Sequence, residues 1–266
     1  MTGFLPALIR LAMKVAVAVL ATAAALPPVA AQGRLLADEE LAEVSGQGLL
    51  EPSNYSYNGL DFTRITLGAD IQLSANLSGI RLGEYNRAIA NGSGADIDIP
   101  LLRIGRSDGT DAQRIVQITD PYVEFVFRNG ANAATRELVG ARFGFGGIKG
   151  EFGVDLAAIS GSLRIDAGAA GVIDSNQSAS SGVRWDGTCV ASCLPLSQLG
   201  SLTAGDANGP SRDFWLSMSK LPVNYAPIAG VAQQQAAMGF WMNWRDRLAG
   251  GNIGLGAPPN LPKPGG

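Results

Sequence analysis

The chain has 266 residues, of which 20 are Lys or Arg, 23 are Asp or Glu and none is His, giving a formal charge of −3. Without imidazole a Ser-His-Asp triad, a Cys-His pair and a His-based zinc site are excluded, and the usual proton carrier near neutral pH is missing. The positive charges are scattered singly, so neither nucleic acid nor an anionic membrane surface is an expected partner.

At the start, Arg10 and Lys14 flank an apolar run from Leu11 to Leu26, Pro27 and Pro28 break it, and Val29-Ala30-Ala31 presents small residues. That is the pattern of a Sec signal over residues 1–31, with the mature chain expected to begin at Gln32. The destination is then the periplasm, the outer membrane or the cell exterior. Downstream no apolar run reaches the ~18 residues of a membrane-spanning helix, and the roughly 235 residues left suffice for one large β domain.

Residues 32–50 carry RLLADEELAEVSGQG. Asp38 stands where a helix N-cap would, Glu39 and Glu40 follow in the first turn, Leu36, Leu41 and Val44 share one side, and Gly46 ends the pattern. This spacing predicts a short helix. The motif formed by Leu36, Asp38, Leu41, Val44, Ser45, Gly46, Gln47 and Gly48, placed just after a signal, resembles the opening of the FilA-like putative pilus-system proteins of Gram-negative bacteria. The resemblance implies an exported, β-rich, fimbria- or surface-associated protein without a catalytic role. EELAEVSGQG also looks like a double-glycine export leader, although here the pair is interrupted as Gly46-Gln47-Gly48.

Residues 51–249 are expected to form the β-rich domain. FTRITLG sets Phe62, Arg64 and Thr66 against Thr63, Ile65 and Leu67, and ADIQLSANLSGIRLG sets Ile71, Leu73, Ala75 and Leu77 on one face of a single strand. YVEFVFRNG places Val123, Phe125 and Phe127 on one side and ends at Asn129-Gly130, a two-residue hairpin signal. Period-2 alternation of this kind predicts half-buried strands. LVGARFGFGG, KGEFGVDL and SGSLRID follow as further strands of an antiparallel meander. Phe143 and Phe145 alternating with Gly144 and Gly146 suggest a strand whose small face another backbone approaches closely. Three segments share a Gly-small-Asp-aliphatic opening and close on Ile80-Arg81-Leu82, Leu102-Arg103-Ile104 and Leu163-Arg164-Ile165, which suits related strand pairs better than a regular solenoid.

Residues 174–213 are polar and small, the composition of mobile loops. Within them Cys189 and Cys193 are expected to form a local disulfide in an oxidising compartment. Val231, Met238, Trp241, Met242 and Leu248 fit an amphipathic helix from about Ala229 to Leu248, and residues 250–266, rich in Pro and Gly, read as a disordered tail.

The remaining chemistry is carried by carboxylates and aromatics. Asp96 with Asp98, Asp108 with Asp111, and Asp206 with Asn208 and Asp213 could each hold a hard cation or, as separated pairs, serve a glycosidase; their ordinary reading is as solvated turn acids. Trp215, Phe240, Trp241 and Trp244 are expected to pack the C-terminal helix onto the sheet. The fold class expected is mainly β, an antiparallel meander or sandwich-like sheet with a short N-terminal helix and a C-terminal amphipathic helix. The function expected is that of a secreted, non-enzymatic structural or adhesive protein, associated with a pilus or surface assembly through protein partners, with no catalytic residue, cofactor or metal. The alternative is an outer-membrane β-barrel or a barrel-like binder of an apolar ligand.

Overall fold

The computed structural model describes residues 50–87, 92–175, 184–185, 194–227 and 234–262, all within the second of two units, Met1–Gly46 and Gln47–Gly266. The expected signal, the address motif from Leu36 to Gly48, and Cys189 and Cys193 lie outside the described residues.

The described chain is mainly β. Its first strands are β1 (Leu50–Tyr57), β2 (Leu60–Leu67), β3 (Asp70–Leu73), β4 (Ala75–Leu82), β5 (Tyr85–Arg87), β6 (Gly92–Gly94) and β7 (Ile97–Ile104). Long strands β8 (Val116–Arg128) and β9 (Glu137–Asp155) follow, then β10 (Ala158–Asp166), β11 (Val172–Asp174), β12 (Arg184–Trp185) and β13 (Ser201–Ala204). The series ends with β14 (Trp215–Ser219), β15 (Val223–Tyr225), β16 (Gln234–Ala236), β17 (Gly239–Trp244) and β18 (Leu248–Gly251).

The architecture departs from a simple sandwich because the main sheet closes on itself. Strands β9, β13, β18, β10, β17 and β14 form a ring, antiparallel except where β10 runs parallel to β18 and β17. Closure is possible because β9 is long enough to serve two neighbourhoods. Its first half lies between β8 and β14, and its second half between β7 and β13. The stretches expected as two separate strands, LVGARFGFGG and KGEFGVDL, are thus one. The buried side chains of Phe152, Leu163, Ile165, Leu202, Trp244 and Leu248 belong to one apolar core, which also takes in Ile97 and Ile99 of β7. A second core, around Phe62, Val126, Trp215, Tyr225 and Trp241, sits under the β1-β2-β8-β9-β14-β17 run of the sheet.

Local sequence explains several of these elements. Asn58 and Gly59, both at positive φ, make the two-residue turn that pairs Tyr57 with Leu60. Pro121 sits inside β8 where the neighbouring strand changes from β3 to β2, so no partner on that side depends on its missing N–H.

Other expectations are overturned. Asn129-Gly130 is not a two-residue turn, because β8 stops at Arg128 and β9 starts only at Glu137; Gly130 instead donates its N–H to Asp61 Oδ2 at 2.9 Å. ADIQLSANLSGIRLG is not one strand either. It breaks at Ser74 so that β3 joins β8 while β4 joins β7, and Leu77 ends 43% exposed. The amphipathic helix expected from Ala229 to Leu248 is absent over its described residues, which form β16, β17 and the start of β18; Gly239 at φ 98° and Arg247 at φ 51° turn the chain between them.

The segment read as a disordered tail is held as far as Pro262. Arg103 Nη1 donates to the carbonyls of Ala257 and Pro258 at 2.9 and 2.7 Å, and Asn260, buried, donates through Nδ2 to the Ile104 carbonyl at 2.9 Å. Within the region read as mobile, β13 pairs on both sides and contributes Leu202 and Ala204 to the core.

Candidate functional site

The β1-β2-β8-β9-β14-β17 run carries an unusual distribution of side chains. Register aligns Arg64 of β2 with Glu124 of β8, Glu124 with Arg142 of β9, and Arg142 with Ser217 of β14. These side chains therefore form one row across four adjacent strands, all on the side facing the second core. Glu124 is fully buried and Arg142 is 2% exposed.

The carboxylate of Glu124 is shared between two guanidinium groups. Arg142 Nε donates to Oε1 at 2.6 Å, and Arg64 Nε donates to Oε2 at 2.8 Å. The Tyr55 hydroxyl donates to Oε2 as well, at 2.9 Å. Aromatic rings complete the shell. The Arg142 guanidinium lies 3.9 Å from the Tyr225 ring centre and 5.6 Å from both Tyr122 and Trp215, while Arg64 lies 4.2 Å over Tyr122. Arg142 Nη1 is buried with no hydrogen-bond partner among the described residues, so the ring faces supply part of the stabilisation that water would give.

Space for this cluster comes from glycine. A Cβ at Gly144 would stand 2.5 Å from the Tyr122 hydroxyl oxygen and 2.8 Å from the Phe214 carbonyl. The glycine-phenylalanine alternation of β9 thus does place a small face where other groups approach closely.

Burial and neighbouring charges shift the titration of Arg142 and of three tyrosines in the cluster. Burial works against a charged Arg142, but the neighbouring Tyr122 and Glu124 outweigh it and raise its pKa. Burial, with the Glu124 charge adding to it, pushes Tyr55 up to about 12, and burial also raises Tyr122 and Tyr225. The tyrosines are therefore held as phenols, and both oxygens of Glu124 are already engaged. Such a group stiffens a sheet; neither a free base nor an activated nucleophile is present in it.

The opposite side of the same strands is apolar. Ile65, Val123, Phe143 and Leu216 align in one row, and Thr63, Phe125, Ala141 and Met218 in the next. On β1, Pro52 continues the first row and Leu50 pairs with Leu67. Phe127 and Leu138 extend the face past a bulge between Val126 and Phe127. Exposure here is high for such side chains: Leu50 60%, Leu138 47%, Phe143 47% and Met218 41%. The two central rows hold no charged residue, and Asp61, in register with Phe127, stands at the hairpin edge of the face. The alternation that puts Val123, Phe125 and Phe127 together was legible, but the side it buries is the other one, with Tyr122, Glu124 and Val126 inside.

The acids singled out from sequence lie apart from this row. Asp96 accepts from the Phe240 backbone N–H at 2.9 Å and Asp98 faces Arg81 at 3.3 Å. Asp108 is gripped by Arg106 at 2.7 and 2.9 Å, and Asp111 faces Arg114 at 3.3 Å. Asp206 accepts from the Asn208 N–H at 2.7 Å in a tight turn. Asp213 is buried, which raises its pKa, and it accepts the backbone N–H groups of Arg245 and Asp246 and the Asn243 amide. Each has a protein partner already, and among the described residues no three His, Cys, Asp or Glu side chains converge on a point that could hold a metal. An open groove of about 370 Å³ beside β3 and β13 has Gln113 Nε2 bonded to Glu151 Oε1 at 2.5 Å within its lining.

The late aromatics sit on strands rather than on a helix. Trp215 and Trp241 join the second core, while Trp244 packs edge-on to Phe152 and Phe214 in the first. No described helix is long and apolar enough to cross a membrane, which says nothing of a β-barrel. No family model matches the chain, and comparison with curated proteins and with solved structures gives no match.

Proposed function

We propose that the chain is a secreted, non-enzymatic structural or adhesive protein, working in a pilus or surface assembly, whose β scaffold presents an apolar sheet face to a protein partner. One observation carries this reading: the side of the sheet with the ionic row is covered, while the largely apolar side opposite it is not. Exposed contiguous apolar patches mark contact surfaces. The engaged state of the acids supports it further, since each carboxylate considered for catalysis is tied to a cation or a backbone N–H. The address motif and the signal-like start are consistent with export, and the pair Cys189 and Cys193 with an oxidising destination.

A second reading, an outer-membrane β-barrel or a barrel-like binder of an apolar ligand, draws support from the ring closure and the outward apolar face. Against a ligand inside the ring stands its content, a core of Phe152, Leu163, Leu202 and Trp244. Fractionation of cells expressing the tagged full chain, with the N-terminus of the product determined, separates the two. Product starting at Gln32 that is released or carbonate-extractable supports the contact protein. Heat-modifiable product locked in the outer membrane overturns it in favour of the barrel.

A further inference from the structure

The apolar face has a definite size, shape and charge frame, and these select its occupant. It spans β1, β2, β8, β9 and β14, and along β8 it runs from Asp120, at positive φ within the strand, to Arg128, about 26 Å at the usual rise per residue. Leu50, Leu138, Phe143 and Met218 are 41–60% exposed, and they with their half-buried neighbours offer roughly 600 Å² of accessible apolar surface, the top of the range for the largest patch on a monomer. A face of that size covered by its own copy removes roughly 1,200 Å² in total, the lower end of the range for specific association. The two central rows contain no charge that a second identical face would have to bury against itself; Asp61 lies at the hairpin edge, in register with Phe127.

The frame at the two ends is of opposite sign. At the hairpin end three cations, Arg128, Arg136 and Lys220, outnumber two acids, Asp61 and Glu137, the latter shared by Arg128 and Lys220. At the other end Asp70 and Asp120 are exposed. Turned by a two-fold rotation, one copy lays its basic end over the acidic end of the other, and the apolar rows meet in the aligned packing usual for twisted sheets. Resting on the contact-face reading given above, we propose that this face is closed by a second copy of the chain, packed sheet to sheet across a two-fold axis.

Sedimentation equilibrium on the purified full chain tests this, from roughly 1 to 100 µM, the range in which interfaces at the small end of the specific class associate. Dimerisation is expected, weakened roughly tenfold or more by Phe143→Asp, as for an apolar anchor near the centre of a patch. Leu255→Asp, which alters an apolar side chain 69% exposed outside the face, is expected to leave it unchanged. Lys220→Asp should weaken the dimer, and adding Asp70→Lys should restore it, a recovery that general damage to the fold would not give. Circular dichroism of each variant must match the parent.

A chain that stays monomeric throughout, or that dimerises equally well as Phe143→Asp, overturns the second copy as occupant. The dimer and the contact face are then told apart by the cell fractionation. If Phe143→Asp shifts a monomeric chain out of the surface fraction, or off vesicles of neutral lipid, the face serves another occupant and only the dimer falls. If it changes neither, the contact-face reading falls with it.

Discussion

Replacing Glu124 by Gln isolates the ionic row. The substitution keeps shape and volume, but it removes the one negative charge placed between two guanidinium groups, 2.6 Å from Arg142 and 2.8 Å from Arg64. Arg64 is 23% exposed in its side chain and recovers some water, whereas Arg142 at 1% cannot. The amide introduced would also turn an N–H₂ toward one of two N–H donors. Breaking a buried pair from one side costs about 3–5 kcal/mol, a large part of the ~5–15 kcal/mol that keeps a domain folded. At about 2–4 °C per kcal/mol for a domain of this size, the melting temperature should fall by roughly 10 °C. Urea unfolding followed by tryptophan fluorescence reads it directly, because Trp215, Trp241 and Trp244 are all buried. The paired replacement Glu124→Met with Arg142→Met should be milder than Glu124→Gln alone, since no lone charge remains in the core. A cost below about 1 kcal/mol for Glu124→Gln, the level of an exposed ion pair, would refute the argument that this row is a buried, mutually dependent unit.

Three further outcomes follow from the same geometry. Tyr55 is neutral when protonated and its pKa rises from 10.0 to about 12 in the folded chain, so its contribution is whole below pH 10 and lost as pH climbs through 12; urea midpoints should drop between those values more steeply for the parent than for Tyr55→Phe. Gly144→Ala sets a methyl 2.5 Å from the Tyr122 hydroxyl and 2.8 Å from a backbone oxygen, whereas Gly256→Ala meets nothing within 4 Å; calorimetry should show a loss of about 1–3 kcal/mol for the first and near neutrality for the second. Asn260→Ala removes the Nδ2 donors to the carbonyls of Ile104 and Ala75, at 2.9 and 3.4 Å; hydrogen exchange should rise in residues 256–262 by the equivalent of about 1–2 kcal/mol while the ring strands stay protected.

The strands were readable because alternation is local, and the face each strand buries was not, because burial is decided by partners far away in sequence. FTRIT, YVEFVF and GARFGF each hold one charged residue at the centre of an apolar or small alternation, and that shared phase was the available signal for the row of Arg64, Glu124 and Arg142. Reading each strand singly, the apolar side of YVEFVF points inward. It takes Tyr225 and Trp215, from segments about 90 residues away, to make an interior in which Glu124 can be satisfied. The false helix has the same origin. Val231, Met238, Trp241, Met242 and Leu248 do fit a 3.6-residue period, yet GFWMNW is rich in side chains that suit a pleated surface, and β17 is claimed on both sides by β14 and β10. Composition alone also misjudged the tail, whose prolines and glycines lie along the sheet because Arg103 and Asn260 hold its carbonyls and backbone in place.

The buried charges and the exposed apolar face are two consequences of one choice of register. A slip of one residue in a strand exchanges its two faces, and for β8 that would bring Val123, Phe125 and Phe127 inside while carrying Glu124 out. Judged on apolar burial, the slipped arrangement is a serious competitor, because the three side chains gained are at least as large and apolar as those lost. In the native register, however, Glu124 is opposite Arg64 and Arg142 at once; shifting β8 carries Glu124 out and leaves Arg142 buried without its carboxylate, at a cost of several kcal/mol. The ionic row therefore acts as a lock on alignment rather than as a source of net stability. With the alignment locked, Phe125 and Phe127 of β8 and Phe143 of β9 are committed to the outer face, where they remain available to cover, and be covered by, another surface.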